Sequence, residues 1–233
     1  MSHLPPNDRV QCVQSFEELL ARKFEGRINA FCWPRVLGGD FPAVVAALGP
    51  GEGIVTLDEE RLRALPLARE GRLAVDAILS DLQRLRAHGL DPALNCIHAY
   101  PRDDSASAVA TDVFSFHADS APIEAATWLC TYHGAWSEGV PNEAAVRRVD
   151  VPETRAALLR EYGGNDDGGF AEFLHEQCYD LHYAPISETA IYPFGHFNLW
   201  RIAVEYPGSP VPPCIHRAPT TQPRDPPRLL LIS

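Results

Sequence analysis

Along the chain the hydrophobic period changes near residue 94. Before that point apolar residues recur every three or four positions. Ser15 to Lys23 (SFEELLARK) puts Phe16, Leu19 and Leu20 on one helical face, behind a Ser that precedes Glu18 by three, the spacing of a capping box. Arg27 to Trp33 (RINAFCW) alternates and is closed by Pro34, so it reads as a strand. Asp40 to Leu48 (DFPAVVAAL) reads as an Asp-capped helix with Pro in its first turn. After a glycine turn at 49–53, the stripe Leu73, Ala74, Ala77, Ile78, Leu82 and Leu85 predicts a helix from about Glu70 to His88, with its acids and arginines mostly off the stripe.

From Leu94 the pattern shortens into β-branched or aromatic runs bounded by Pro, Gly or Asp. Leu94 to Tyr100, Val113 to Asp119, Thr127 to His133, Phe197 to Glu205, Cys214 to Arg217 and Arg228 to Ile232 all read as strands. Glu153 to Tyr162 and Phe170 to Cys178 read as helices, separated by a glycine and acid tract, Gly163 to Gly169, that predicts a mobile turn and lacks the ligand spacing of a calcium loop. The expected architecture is one α+β domain over 1–233: helical N-terminal support over 1–93, and a β core over 94–233 with an insertion at about 134–193.

Length and composition agree with that picture. The 233 residues can bury a full core, and 45% hydrophobic residues with 21 prolines describe a turn-rich globular chain. A formal charge of −11 repels phosphate backbones, and no Lys/Arg run interleaved with aromatics offsets it locally, so nucleic acid is not an expected partner. Six cysteines without a C-x-x-C pair, and a start (MSHLPPNDRV) with neither a basic nor an apolar segment, lead to the expectation of a reduced, cytoplasmic protein. No apolar run is long enough to cross a bilayer. Serine hydrolase, zincin and Walker motifs are absent.

The candidate chemistry begins at Phe114 to Ser120 (FSFHADS). On a strand, His117 and Asp119 share a face because side chains alternate with period two. A bare H-x-D is more often a surface hydrogen-bonded pair. Here a second His, His216, lies in another short apolar run, so that His117, Asp119 and His216 complete a 2-His-1-carboxylate set, the donor set that suits non-haem Fe(II). His196 is the alternative distal ligand. Tyr100, Thr131 and His133, on neighbouring predicted strands, are candidate hydrogen-bond donors. Asn198 and Trp200 share the face of His196 and are candidate pocket residues, whereas Arg217 is expected to point outward into a salt bridge.

H-x-D on an early core strand, a lone His on the penultimate strand and an Arg on the last together resemble the Fe(II)- and 2-oxoglutarate-dependent oxygenases, over roughly Leu94 to Ser233. The resemblance implies a double-stranded β-helix of jelly-roll or cupin type. It implies His117, Asp119 and His216 as iron ligands and Arg228 as the residue that grips the far carboxylate of 2-oxoglutarate, with Arg224 as the alternative anchor. A guanidinium suits that task because its planar fork binds a carboxylate bidentately. The family often carries a Ser or Thr two residues after that Arg, and this chain has Leu230 there. The implied reaction is O2-dependent hydroxylation of a small molecule such as an amino acid or metabolite, with Phe116, Trp136 and the strand near Trp200 as apolar walls, Glu138 or Arg201 fixing a charged group, and the 134–193 insertion as a lid. A wider pattern, INAFCWPR, FHAD, LCTYHG, HRAP and PRLLLIS, resembles a bacterial family of unknown function. Competing readings are a non-catalytic or sensory cupin-like metal binder, and a metal-dependent oxygenase or isomerase that does not use 2-oxoglutarate.

Overall fold

The computed structural model describes residues 7–222 and 224–233; the first six residues, where a leader would begin, lie outside the described set. Among the described residues the chain runs through β1 (Val10–Cys12), α1 (Phe16–Ala21), β2 (Ala30–Trp33), α2 (Phe41–Leu48), β3 (Ile54–Leu57), α3 (Glu59–Ala64), α4 (Arg69–Ala87) and β4 (Ala93–Ile97). It continues through β5 (Phe116–His117), β6 (Ala126–His133), β7 (Glu138–Val140), β8 (Ala145–Arg147), α5 (Pro152–Tyr162), α6 (Gly168–Glu176), β9 (His182–Pro185), β10 (Tyr192–Pro193), β11 (Leu199–Ala203), β12 (Ile215–Arg217) and β13 (Arg228–Ile232). None of these helices is long and apolar enough to cross a membrane.

The strands form a seven-stranded sheet, β1-β2-β11-β6-β13-β4-β3, and a six-stranded sheet, β10-β7-β12-β5-β9-β8. Every ladder is antiparallel except β1–β2. Period-two alternation sorts the large sheet into two faces. Phe31, Trp128, Cys130, Tyr132, Leu229 and Leu231 pack against the helical layer of α1, α2 and α4. Cys32, Leu129, Trp200, Ile202 and Leu230 turn the other way, onto Tyr192, Phe194 and Cys214 from the small sheet's side of the molecule. The result is an α+β fold of three layers in which the two sheets face each other across a shared core.

The helices begin where their side chains satisfy free backbone donors. Ser15 Oγ accepts from Glu18 N–H at 3.1 Å, while the Glu18 carboxylate reaches back to Gln14 N–H at 2.9 Å, one residue earlier than in the standard box. Asp40 accepts from Ala43 N–H at 2.9 Å. The α4 stripe differs from expectation at two positions. Leu73 is 43% exposed, and Asp81, three residues after Ile78 and four before Leu85, is buried with the stripe.

Asp81 is buried because Arg35, Arg84 and the Tyr132 hydroxyl donate to it at 2.7, 3.1 and 2.7 Å. Arg35 is itself nearly buried and donates its Nε–H to the Phe197 carbonyl, tying α4 to the large sheet. Breaking a buried pair by removing one partner leaves an uncompensated charge. Asp81→Ala is therefore expected to destabilise the fold by about 3–5 kcal/mol, read as a lower denaturant midpoint with unchanged metal stoichiometry.

Two expected boundaries are corrected. The first 93 residues are more than helical support, since β1 and β2 complete one edge of the large sheet and β3 the other. The 134–193 insertion is not a lid laid over a finished core, because it supplies β7, β8, β9 and β10 of the small sheet. Its helices α5 and α6 hold a separate cluster around Leu158, Phe170 and Leu174. The 163–169 tract is a largely exposed turn between them. Gly163, at φ +74°, ends α5 in the left-handed region, and Asp167 caps α6.

Candidate metal centre

The site lies where the small sheet faces the large one. His117 and His216 sit directly opposite each other across the β5–β12 ladder, with ring centroids 4.6 Å apart. β5 itself is only two residues long, so Asp119 lies just beyond it. Its backbone is fixed there because the Asp119 carbonyl accepts from Glu205 N–H at 2.8 Å and Ala118 N–H donates to the Leu181 carbonyl at 3.0 Å. The carboxylate still converges on the two rings: Oδ1 is 3.8 Å from His117 Nε2 and Oδ2 is 3.7 Å from His216 Nε2. Both separations are too long for hydrogen bonds and short enough for one ion to bridge. Ligand atoms of all three residues lie within 4.8 Å of one another, and this His-Asp-His cluster can hold a metal ion.

Outer contacts set the donors' orientation. His117 Nδ1 lies 2.8 Å from the Ser115 carbonyl and His216 Nδ1 lies 3.4 Å from the Cys214 carbonyl. A carbonyl only accepts, so each Nδ1 carries the proton and each Nε2 presents its lone pair to the centre. Thr127 donates its hydroxyl to Asp119 Oδ2 at 2.5 Å. Burial opposes the Asp119 charge, yet His216, the Thr127 hydroxyl and His117 together hold its pKa below the usual carboxylate value. Burial, reinforced by His216, pushes His117 below the usual imidazole range.

A cavity of about 230 Å³ opens beside the three residues. Its walls are largely apolar, with Ile97, Leu129, Leu230 and Ile232 among them, and its polar end is Tyr100, Ser137 and Arg228. Arg228 is 3% exposed. It donates to Tyr100 Oη at 2.6 Å, Thr131 Oγ1 at 3.1 Å and Ser137 Oγ at 2.6 Å, while its Nε–H is buried without a partner. Among the described residues no carboxylate pairs with it, and burial lowers its pKa from the ordinary guanidinium value. A buried cation held only by neutral hydroxyls is an incomplete electrostatic arrangement that an anion entering the cavity completes.

The other expected site residues divide clearly. Tyr100 and Thr131 hold Arg228, whereas His133 donates to the Pro227 carbonyl and steadies the approach to β13. His196 is outside the cluster: its Nε2 donates to the Gly134 carbonyl and its ring meets the edge of Trp136. Arg224 is exposed and takes no part in the cavity.

Asn198 and Trp200 both donate to the Phe194 carbonyl and are core, not pocket. Arg201 points away and donates to the carbonyls of Leu19, Leu20 and Arg22 at the end of α1, so it does not meet a substrate group. Arg217 pairs with Glu138 at 2.7 Å and lies over Phe116 on the small sheet's outer side. Phe116 and Glu138 are thereby removed from the cavity, and Trp136 lines a separate surface groove with Glu138 and Arg217.

Ser137, Thr127 and His182 escape a sequence reading because no spacing ties any of them to the three donors, and only the fold brings them near the centre. Ser137, with Thr131, provides hydroxyl contacts to Arg228 that Leu230 cannot. No family model matches the chain, and neither the curated proteins nor the solved structures contain a significant match.

Burial also pushes His182 down to about 4, with Arg148 acting in the same direction. In the apo protein a lowered imidazole pKa means that the unfolded chain binds the extra proton first. Stability is therefore full above the ordinary value near 6.5 and falls as pH drops toward 4. Denaturant midpoints of the apo protein are expected to decline across that window, by at most about 1.4 kcal/mol per pH unit for each such imidazole. The decline is expected to lessen in His182→Gln.

Proposed function

We propose that the protein is a non-haem Fe(II)- and 2-oxoglutarate-dependent oxygenase that hydroxylates a small molecule, built on a double-stranded β-helix. The strand pairing supports the fold. β4 pairs with β13, β5 with β12, β6 with β11 and β7 with β10, so the first of eight strands meets the last, the second the seventh, and so inward. That nesting is the one expected of a long antiparallel hairpin rolled into two facing sheets, and it supports the jelly-roll reading.

The observation that carries the function is the buried Arg228 without a carboxylate, in the same cavity as the His-Asp-His cluster. A protein that only binds metal has no use for that cation. In this reading Arg228 grips the far carboxylate of 2-oxoglutarate, and Tyr100, Thr131 and Ser137 fix the plane of the guanidinium before the ligand arrives. His117, Asp119 and His216 would hold the metal, a donor set that suits non-haem Fe(II) and would let it accept the keto acid and O2. When bound, ferrous iron with 2-oxoglutarate and O2 supplies an oxidant that converts a substrate C–H to C–OH, with succinate and CO2 as the co-products.

The protein's own part is orientation and exclusion of water. The Nδ1–H to carbonyl contacts aim the two rings, Thr127 aims the carboxylate, and the Ile97, Leu129, Leu230 and Ile232 walls lower the local dielectric. Anaerobic Fe(II) titrated with 2-oxoglutarate is expected to give a weak visible charge-transfer band saturating at one equivalent. Admission of O2 is then expected to release succinate. An uncoloured mixture at full iron occupancy would count against the reading.

A further inference from the structure

A second cavity, of about 240 Å³, shares His117 and Asp119 with the first but not Arg228. Its lining includes Asp112, His182, Cys178 and the exposed Thr111 and Ser120. His182 stands opposite His117 in the β5–β9 ladder, with ring centroids 5.7 Å apart. It is 4% exposed, and among the described residues neither of its ring nitrogens has a hydrogen-bond partner; Nδ1 is wholly buried. Nδ1 is enclosed by protein, so the ring nitrogen that a ligand in the cavity can partner is Nε2, which no described residue occupies.

The two cavities differ in charge. The first ends on a guanidinium, whereas among the described residues no Lys or Arg lines the second; its wall carries Asp112, and at His182 the nearby Arg148 cation is opposed by Asp112, Asp103 and Asp180. Asp112 accepts backbone N–H groups from Asp103, Phe114 and Ser115, and its ion-pair partner, Arg102, stands 4.0 Å away and half exposed, stacked over Phe114. The second cavity therefore favours a cation or a neutral donor and disfavours an anion.

Building on the oxygenase reading above, we propose that this second cavity binds the primary substrate, a small molecule that presents an amino group to Asp112 and His182 beside the metal. The keto acid then occupies the Arg228 cavity. Shared walls at His117 and Asp119 put both ligands next to one centre without competition for one counter-charge.

The test uses the full chain loaded with Mn(II) and saturated with 2-oxoglutarate, with n-butylamine, n-butanol and butyrate as probes. Ligand proton relaxation by Mn(II) is expected to be strong for butylamine, weaker for butanol and absent for butyrate. His182→Leu is expected to reduce the butylamine effect at least about fivefold, the loss expected for one hydrogen bond, with Mn(II) and 2-oxoglutarate binding retained. Asp112→Asn is expected to bring butylamine down to the butanol level. A second measurement avoids altering the cavity's own polar groups: carbamidomethylation of Cys178, one of the two exposed cysteines, in a Cys12→Ser background is expected to block butylamine alone. Equal relaxation of butyrate and butylamine, or butylamine relaxation indifferent to both His182→Leu and Cys178 alkylation, would overturn the substrate assignment and leave the oxygenase reading standing. Failure of Mn(II) to bind at all would overturn both.

Discussion

Alanine at His117 or Asp119 is expected to abolish stoichiometric metal binding. Among the described residues three ligand atoms converge, one from each of these side chains and His216; each of the two is aimed by its own outer contact, and no other described side chain joins the cluster. His182 is close, but it belongs to the second cavity and lies outside the three-residue cluster. Loss of an outer hydrogen bond at a metal site typically lowers affinity about 10–100-fold. Thr127→Val is expected to fall in that range, because it removes the hydroxyl on Asp119 Oδ2 while keeping the shape of the side chain. The two alanine variants are expected to lie well beyond it. Metal analysis after dialysis against a weak chelator separates these classes, and parent-like occupancy in Asp119→Ala would mean that the ion binds elsewhere.

If Arg228 plays the proposed role, substitution there is expected to affect 2-oxoglutarate binding rather than metal binding. Arg228→Lys keeps a positive charge but replaces a planar fork fixed by Tyr100, Thr131 and Ser137 with a single ammonium, so 2-oxoglutarate is expected to bind about 10–100-fold more weakly, in line with the ~1.5–3 kcal/mol of a charged hydrogen bond. Arg228→Met is expected to remove 2-oxoglutarate binding at accessible concentrations and leave metal occupancy intact. Folding stability should not fall with it, because the variant deletes a buried cation that no carboxylate among the described residues compensates. Titration of the charge-transfer band together with a denaturant midpoint reads both quantities. Unchanged 2-oxoglutarate affinity in Arg228→Lys would remove Arg228 from the role given to it.

The outcome at Asp81 and Arg201 shows how far a side chain's charge misleads a local reading. By type and position Asp81 looks like solvated surface and Arg201 like a group that fixes a charged ligand. Asp81 becomes the buried hub for Arg35, Arg84 and Tyr132, and Arg201 closes the carbonyl end of α1. In each case the partner comes from an element distant in the chain, and nothing in a window around the residue announces it.

What the sequence determined by itself is what local physics controls. The 3.6-residue stripe located α4, Ser15 and Asp40 located the starts of α1 and α2, and period-two runs located β4, β6, β11 and β13. The H-x-D spacing and the lone His216 in its apolar run pointed to the three residues that cluster as candidate donors, because the chemistry of a donor is carried by its residue type. Only the tertiary structure decided how those donors meet. β7, β8 and β10 are two or three residues long, too short for a period to be read, and they exist as strands because their neighbours supply the other half of each hydrogen bond. The small sheet, the facing of His117 by His216, the hydroxyl frame around Arg228 and the open imidazole of His182 all follow from such pairing. Their free energy lies in contacts between segments far apart in the chain, which no local pattern encodes.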